Sequence, residues 1–207
     1  MKKTDRANIS PMSKGDSTRA AILDVALAGA SKVGLKALSI GELAREVGLS
    51  KSGLFAHFAS KEDLQIEVVK KAMARFVEVV ISPALKKPRG EPRVRALFAN
   101  WFDWSKASEL PGGCFFIAAS SELDDQPGPL RDLLLASQKD WLGVLAQAAR
   151  VAVEEGHFKK DIDAEQFAWQ LDAFVLGYHH SARLLRSKDA ETRAHRAFES
   201  LIRAARA

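Results

Sequence analysis

Ser50-Lys51-Ser52-Gly53 is a run whose chemistry suits a polyanion. Lys51 can donate to guanine O6 or N7, and the Ser52 hydroxyl can contact bases or phosphate. The other side chains here are short, so the backbone itself can approach closely. Ser50 can cap a helix starting at this point. A helix N-terminus adds free amides and a positive dipole end, both suited to phosphate. His57 and Lys61 follow where a flanking phosphate is within reach.

Such residues need elements to hold them. Ser39-Ile40-Gly41-Glu42 is a capping box, in which the Ser oxygen accepts from the Glu amide. Ile40, Leu43, Ala44 and Val47 then give one apolar face of a short helix. Gly48 can take the positive φ of a tight turn. Leu43, Val47, Leu49 and Leu54 form a small core, and Ala44 lets a second helix cross closely. Two short helices so joined are a helix-turn-helix, about residues 39–58, whose second helix enters a DNA major groove. The competing reading is two short helices packing within an all-α core.

The rest of the chain reads as helix. Ile22, Leu23, Ala26, Leu27, Ala30 and Val33 share one face of a helix from Ser17, ended at Gly34. Ser60, with Asp63, caps a longer helix through Leu64, Val68, Ala72, Phe76 and Val79, which should stop before Pro83. Pro83 to Pro92 reads as a basic connector. Helical patterns resume over 93–110, 114–123, 129 to about 156, 164–186 and 190–205. No period-2 pattern persists, so the fold is expected to be all-α with about nine helices. Residues 1–16 read as a disordered basic arm.

Composition narrows the function. The 207 residues are 47% apolar and 28% charged, as in globular chains. The net +5 is uneven: residues 1–64 carry +3, residues 83–95 carry +4 and residues 96–207 carry −3. A basic front and an acidic back suggest two jobs. One cysteine excludes a disulfide framework and a Cys-built zinc site. Cys114, beside Phe115 and Phe116, reads as a buried small hydrophobe. His179 and His180 point about 100° apart on a helix and chelate poorly, so no metal is expected. There is no Gly-rich phosphate loop, no Gly-x-Ser-x-Gly and no His-Glu-x-x-His, so neither catalytic residue nor cofactor is assigned. No apolar run reaches a membrane span and the start lacks a signal core, so the chain is expected to stay in the cytoplasm.

The stretch from Ser39 to Lys51, with Phe55-Ala56-His57-Phe58 and Ser60-Lys61-Glu62-Asp63-Leu64, resembles the tetracycline-repressor (TetR-like) family of bacterial transcription regulators. Gly112 to Phe116 through Asp124 to Pro129 looks like one recurrent ligand-domain subtype of it. The resemblance implies a DNA-binding domain over 17–64 and an effector-binding, dimerising domain over 65–207. Its candidate DNA-facing residues are Ser39, Ser50, Lys51, Ser52, Gly53, Phe55, His57 and Lys61. Two departures stand out. Phe55 replaces the usual Tyr, loses the phosphate-seeking hydroxyl and is expected to pack. Ser52-Gly53 replaces Gly-Thr, so operator sequence cannot be borrowed from relatives.

The resemblance further implies a homodimer built from the last two long helices, a palindromic double-stranded operator and a small-molecule effector. Trp101, Trp104, Phe116, Trp141, Phe174 and Tyr178 are the aromatic candidates for the cavity. Low charge at these positions favours an apolar or aromatic effector. Trp169 belongs to the same apolar material. The connector 83–92 and the helix before it are the expected transmission route. A small-molecule-binding or scaffold protein without DNA binding, and an enzyme with an apolar pocket, are the alternatives.

Overall fold

The computed structural model describes residues 14–207. Most of the expected basic arm, residues 1–13, lies outside them. Among the described residues the fold is all-α with nine helices, and the one β feature is an isolated bridge between Phe158 and Arg206. Helix α1 is Lys14–Val33, α2 is Ile40–Glu46 and α3 is Lys51–Phe55. Helix α4 runs continuously through Lys61–Phe76, a π-helical stretch Val77–Ile81 and a last turn Ser82–Leu85. Then come α5 (Glu91–Ser105), α6 (Phe115–Leu123), α7 (Pro129–Glu154), α8 (Ala164–Arg183) and α9 (Ala190–Ala205).

Local chemistry explains most boundaries. Ser39, Ser50, Ser60 and Asp163 each accept a backbone N–H of the first turn they cap. The Asp63 carboxylate reaches back to the Ala59 N–H at 2.9 Å, so an Asp completes this cap where Glu is usual. Gly34 at φ +93° ends α1. Val33, expected on the inner face of α1, is exposed at the last position of that helix.

Pro83 does not stop α4. The Ser82 N–H donates to the Val77 carbonyl, five residues back, and this wider turn carries the helix past the residue that has no N–H to give. Helix α5 starts at Glu91, two residues before the expected point, because Pro92 fits a first turn.

Helix α4 is the axis. It packs on α1 at its front and on α5 and α7 behind, while α6 touches both α1 and α7. Helices α7, α8 and α9 form the rear layer. One apolar core runs from Ile22 and Leu54 at the front to Phe158 and Ile202 at the back. Phe98 stacks on Phe198 with ring centroids 3.9 Å apart, tying α5 to α9. The Glu91 carboxylate accepts from Arg95 and Arg206, which fixes the end of the described chain to the start of α5.

Candidate nucleic-acid interface and effector cavity

The front unit is built from its caps. Ser39 Oγ accepts from the Glu42 N–H at 3.3 Å, and Ser50 Oγ from the Gly53 N–H at 3.0 Å. Between them the Gly48 N–H donates to the Arg45 carbonyl and the Leu49 N–H to the Ala44 carbonyl. With Gly48 at φ +70°, this is a Schellman turn. Leu43, Ala44 and Leu54 are buried, and Val47 and Leu49 pack against them. The helix-turn-helix is thus closed by its own backbone bonds and a five-residue apolar seam.

The proposed DNA-facing side chains differ in readiness. Lys51 is exposed and its stem lies over Gly41 of α2, where a Cβ would sit 3.0 Å from Lys51 Cε. Ser52 is exposed, with its hydroxyl 3.0 Å from that of Ser50. Lys61 Nζ donates to the Lys36 carbonyl at 2.8 Å, so its ammonium braces the α1–α2 turn. His57 is partly exposed. Phe55, expected to pack, is 44% exposed. Leu54 takes the inward position of this single helical turn, which leaves Phe55 about 100° round on the outside.

Behind this unit lies a cavity of about 90 Å³ between α4, α5, α6, α7 and α8. Phe76 is its hub, edge-on to Trp141 at 5.0 Å and to Phe116 at 5.4 Å. Trp101, Phe116 and Trp141 line it, as does Cys114. Two carboxylates also line it. Asp172 accepts from Trp141 Nε1 at 3.2 Å, and burial pushes its carboxyl up. Asp140 stands at the exposed side. Sequence reasoning missed both, because on their own helices they look like ordinary surface acids. Met73, Phe76, Val77 and Ile81 bring α4 and its π-helical stretch to the same wall.

The six aromatic candidates do not share one site. Trp104 faces a separate opening of about 650 Å³ between α1, α4 and α5. In its walls Lys71 pairs with Asp24 across the space, and Arg75 pairs with Glu109 and with Glu78 of its own helix. Phe174 and Tyr178 line a groove of about 210 Å³ between α8 and α9, together with Ala173, Gly177, Ala190 and Ala197. Trp169 is exposed. Cys114 is buried as expected, and burial pushes its thiol up. No group of three or more His, Cys, Asp or Glu among the described residues is placed to hold a metal ion.

Two seams join the front unit to the cavity. The Leu35 N–H donates to Glu122 Oε2, while the Leu35 carbonyl accepts from Gln65 of α4. The Gly112 N–H donates to Ser31 Oγ at 3.1 Å. Helix α6 therefore carries cavity lining at its start and a latch onto the α1–α2 turn at its end. No residue of the connector lines the cavity, and Arg89 is paired with Glu154 at the end of α7 and Glu155 just after it.

A capped helix-turn-helix coupled to a helical body with an aromatic cavity defines a DNA-binding regulator. Two family descriptions match: "Bacterial regulatory proteins, tetR family" over residues 22–68 and "Tetracyclin repressor-like, C-terminal domain" over residues 90–198. The chain belongs to this family.

Relatives agree. The HTH-type transcriptional repressor KstR2 of Mycobacterium tuberculosis is 27% identical over 156 residues, covering 72% of this chain and 74% of its own. A TetR transcriptional regulator from Chloroflexus aurantiacus shares the fold with a TM-score of 0.81 at 24% identity, covering 92% of this chain and 95% of that one. AibR, solved in complex with isovaleryl coenzyme A and operator DNA, has a TM-score of 0.68 at 22% identity, covering 86% and 97%.

Proposed function

We propose that this chain is a dimeric repressor released from a palindromic operator by a small molecule bound in the α4–α8 cavity. The observation that carries the reading is the closed helix-turn-helix, with Ser50 capping α3 and an exposed Lys51 and Ser52 at its N-terminal end. Residues 17–64 act as the reading unit and 65–207 as the sensing body. Ser52 and Gly53 meet the major groove, and Lys51 lies across Gly41 at its edge, toward a phosphate. Ser39 and Ser50 hold the two helices, and His57 and Lys61 stand where the flanking backbone passes. Phe55 offers an exposed ring to a base methyl or sugar in place of a hydroxyl.

The α8–α9 groove of small residues, with exposed Trp169 and Leu184 beside it, fits the same face of a second copy. Two-fold symmetry then matches two half-sites about one DNA turn apart. An effector wedged against Phe116 and Val77 acts on α6 and α4 together. Both lead to the front unit, α4 directly and α6 through Glu122 and Leu35. Coupling of about 1–3 kcal/mol weakens operator binding roughly 5–150-fold. AibR, with its acyl-coenzyme A and operator, supports the pairing of a small molecule with DNA on this fold. No helix among the described residues is long and apolar enough to cross a membrane. Membership of a family of transcription regulators supports reading it as a cytoplasmic regulator without catalysis.

An electrophoretic shift with DNA upstream of the chain's own gene tests the reading. A salt-sensitive, sequence-dependent complex of dimer stoichiometry is expected. A body that binds small molecules but shifts no candidate operator would leave the scaffold alternative standing.

A further inference from the structure

The α4–α8 cavity has one chemical asymmetry. Its lining holds Asp140 and Asp172 and no Lys, Arg or His. Asp172 has a single hydrogen-bond donor, Trp141 Nε1, and no basic side chain near it offsets the cost of burying its charge. A half-buried carboxylate with one neutral donor is short of partners. Around it stand the rings of Phe76, Trp101, Phe116 and Trp141, whose π-systems can stabilise a cation. Both features attract a cation and repel an anion.

We propose that the cavity takes an organic ammonium ion with an apolar tail, its charged head set against Asp172 and the ring faces. The space of about 90 Å³ suits such a head group. The tail leaves past Val77 and Leu176, which are apolar and exposed at 47% each. Asp140, also exposed, adds attraction at the mouth. The other openings lack this asymmetry. The α1–α4–α5 space has Lys71 and Arg75 in its walls, and the α8–α9 groove holds Arg193 and no carboxylate. The proposal names the effector class for the cavity read above as the sensing site, so it rests on that reading of the cavity but not on DNA binding.

The test uses the full chain and three probes of equal tail: hexyltrimethylammonium, 1-hexanol and hexane-1-sulfonate. Trp101 and Trp141 line the cavity and report binding by intrinsic fluorescence. The cation is expected to bind roughly tenfold or more tightly than the alcohol, and the sulfonate most weakly. Asp172→Asn keeps an oxygen for Trp141 Nε1 and should lower the cation preference to near unity while leaving the alcohol's affinity in place. Asp140→Asn should change it by no more than about threefold. Equal binding of cation and alcohol, tighter sulfonate binding, or no binding of any probe each overturns the proposal. The charge series on the unaltered chain decides this even should Asp172→Asn unfold. Operator release is scored separately. Selective cation binding without release would refute the effector-responsive reading and leave the ligand class standing.

Discussion

The Leu35 backbone N–H donates to Glu122 Oε2 at 2.6 Å, which places a carboxylate of the sensing body on the turn between α1 and α2. Lys36 N–H points at the same oxygen at 3.4 Å. Nothing else on α6 reaches so far into the front unit by a hydrogen bond among the described residues. Glu122→Ala should cost about 1–2 kcal/mol, the range for a part-exposed charge-assisted bond. That lowers the melting temperature by roughly 2–8 °C for a chain of this size. Its more telling effect is on coupling: operator affinity without effector should change little, while effector-driven release weakens. Intact release alongside a lowered melting temperature would make Glu122 a structural brace only.

Gly112 and Gly143 should answer an added methyl in opposite ways. A Cβ on Gly112 would lie 1.6 Å from the Ser31 carbonyl oxygen, a backbone atom that cannot step aside. Gly112→Ala is expected to destabilise by about 2 kcal/mol or more, or to prevent folding. Gly143 lies inside α7 with open space where its Cβ would be. Gly143→Ala should stabilise by about 0.5–1 kcal/mol through helix propensity. Chemical denaturation of both variants measures the pair, and a tolerated Gly112→Ala would mean the α1–α6 seam is looser than described.

Lys51→Ala separates base reading from phosphate contact. The Lys51 stem folded across Gly41 favours the phosphate role. Affinity should then fall almost uniformly across operator variants, and the slope of log affinity against log salt should shrink by about one. Relaxed preference at one base position would instead assign Lys51 to a base edge. Binding titrations over a salt series on a set of single-base operator variants distinguish the two.

Glu91 gives the chain an acid-sensitive clasp. Arg206, then Arg95, holds its carboxyl down to about 2. The folded value lies below the unfolded one, so the stabilisation is full above about pH 4.5 and fades as pH falls toward 2. After solvent screening it amounts to about 1–2 kcal/mol at neutral pH. Glu91→Gln should therefore destabilise at pH 7 and make little difference near pH 2, as followed by urea unfolding at each pH. An equal loss at both pH values would show that the carboxylate's charge is not what holds Arg206.

The front unit was legible in the sequence because its determinants are local. Ser39, Gly48 and Ser50 act within a few residues of themselves, and their caps and turn appear in the structure as the pattern implies. Phe55 was not, because a five-residue helix offers too short a stripe to say which side is in. Pro83 read as a stop because the rule assumes a regular ladder, and α4 is not regular there. The cavity was legible in kind but not in membership. Trp101 and Trp104 lie on one helix, yet Trp101 lines the cavity while Trp104 lines the opening between α1, α4 and α5. Phe174 and Tyr178 do form a stripe, but Asp172 and Val175, on the next stripe round, are what the cavity uses. Which stripe meets which neighbour is set by helix packing, and no single helix records it.

The π-helical stretch of α4 means that this helix carries one residue more than a regular α-helix needs to join the same two ends. Deleting a single residue within Val77–Ile81 would remove the extra residue while leaving Phe76 and Ser82 facing as they do, with Pro83 still unable to donate to the ladder. Inserting one would have no such slack to draw on. The shaft of α4 is thus asymmetric toward length change: shortening by one residue keeps the facing of its two ends, and lengthening must turn one end against the other.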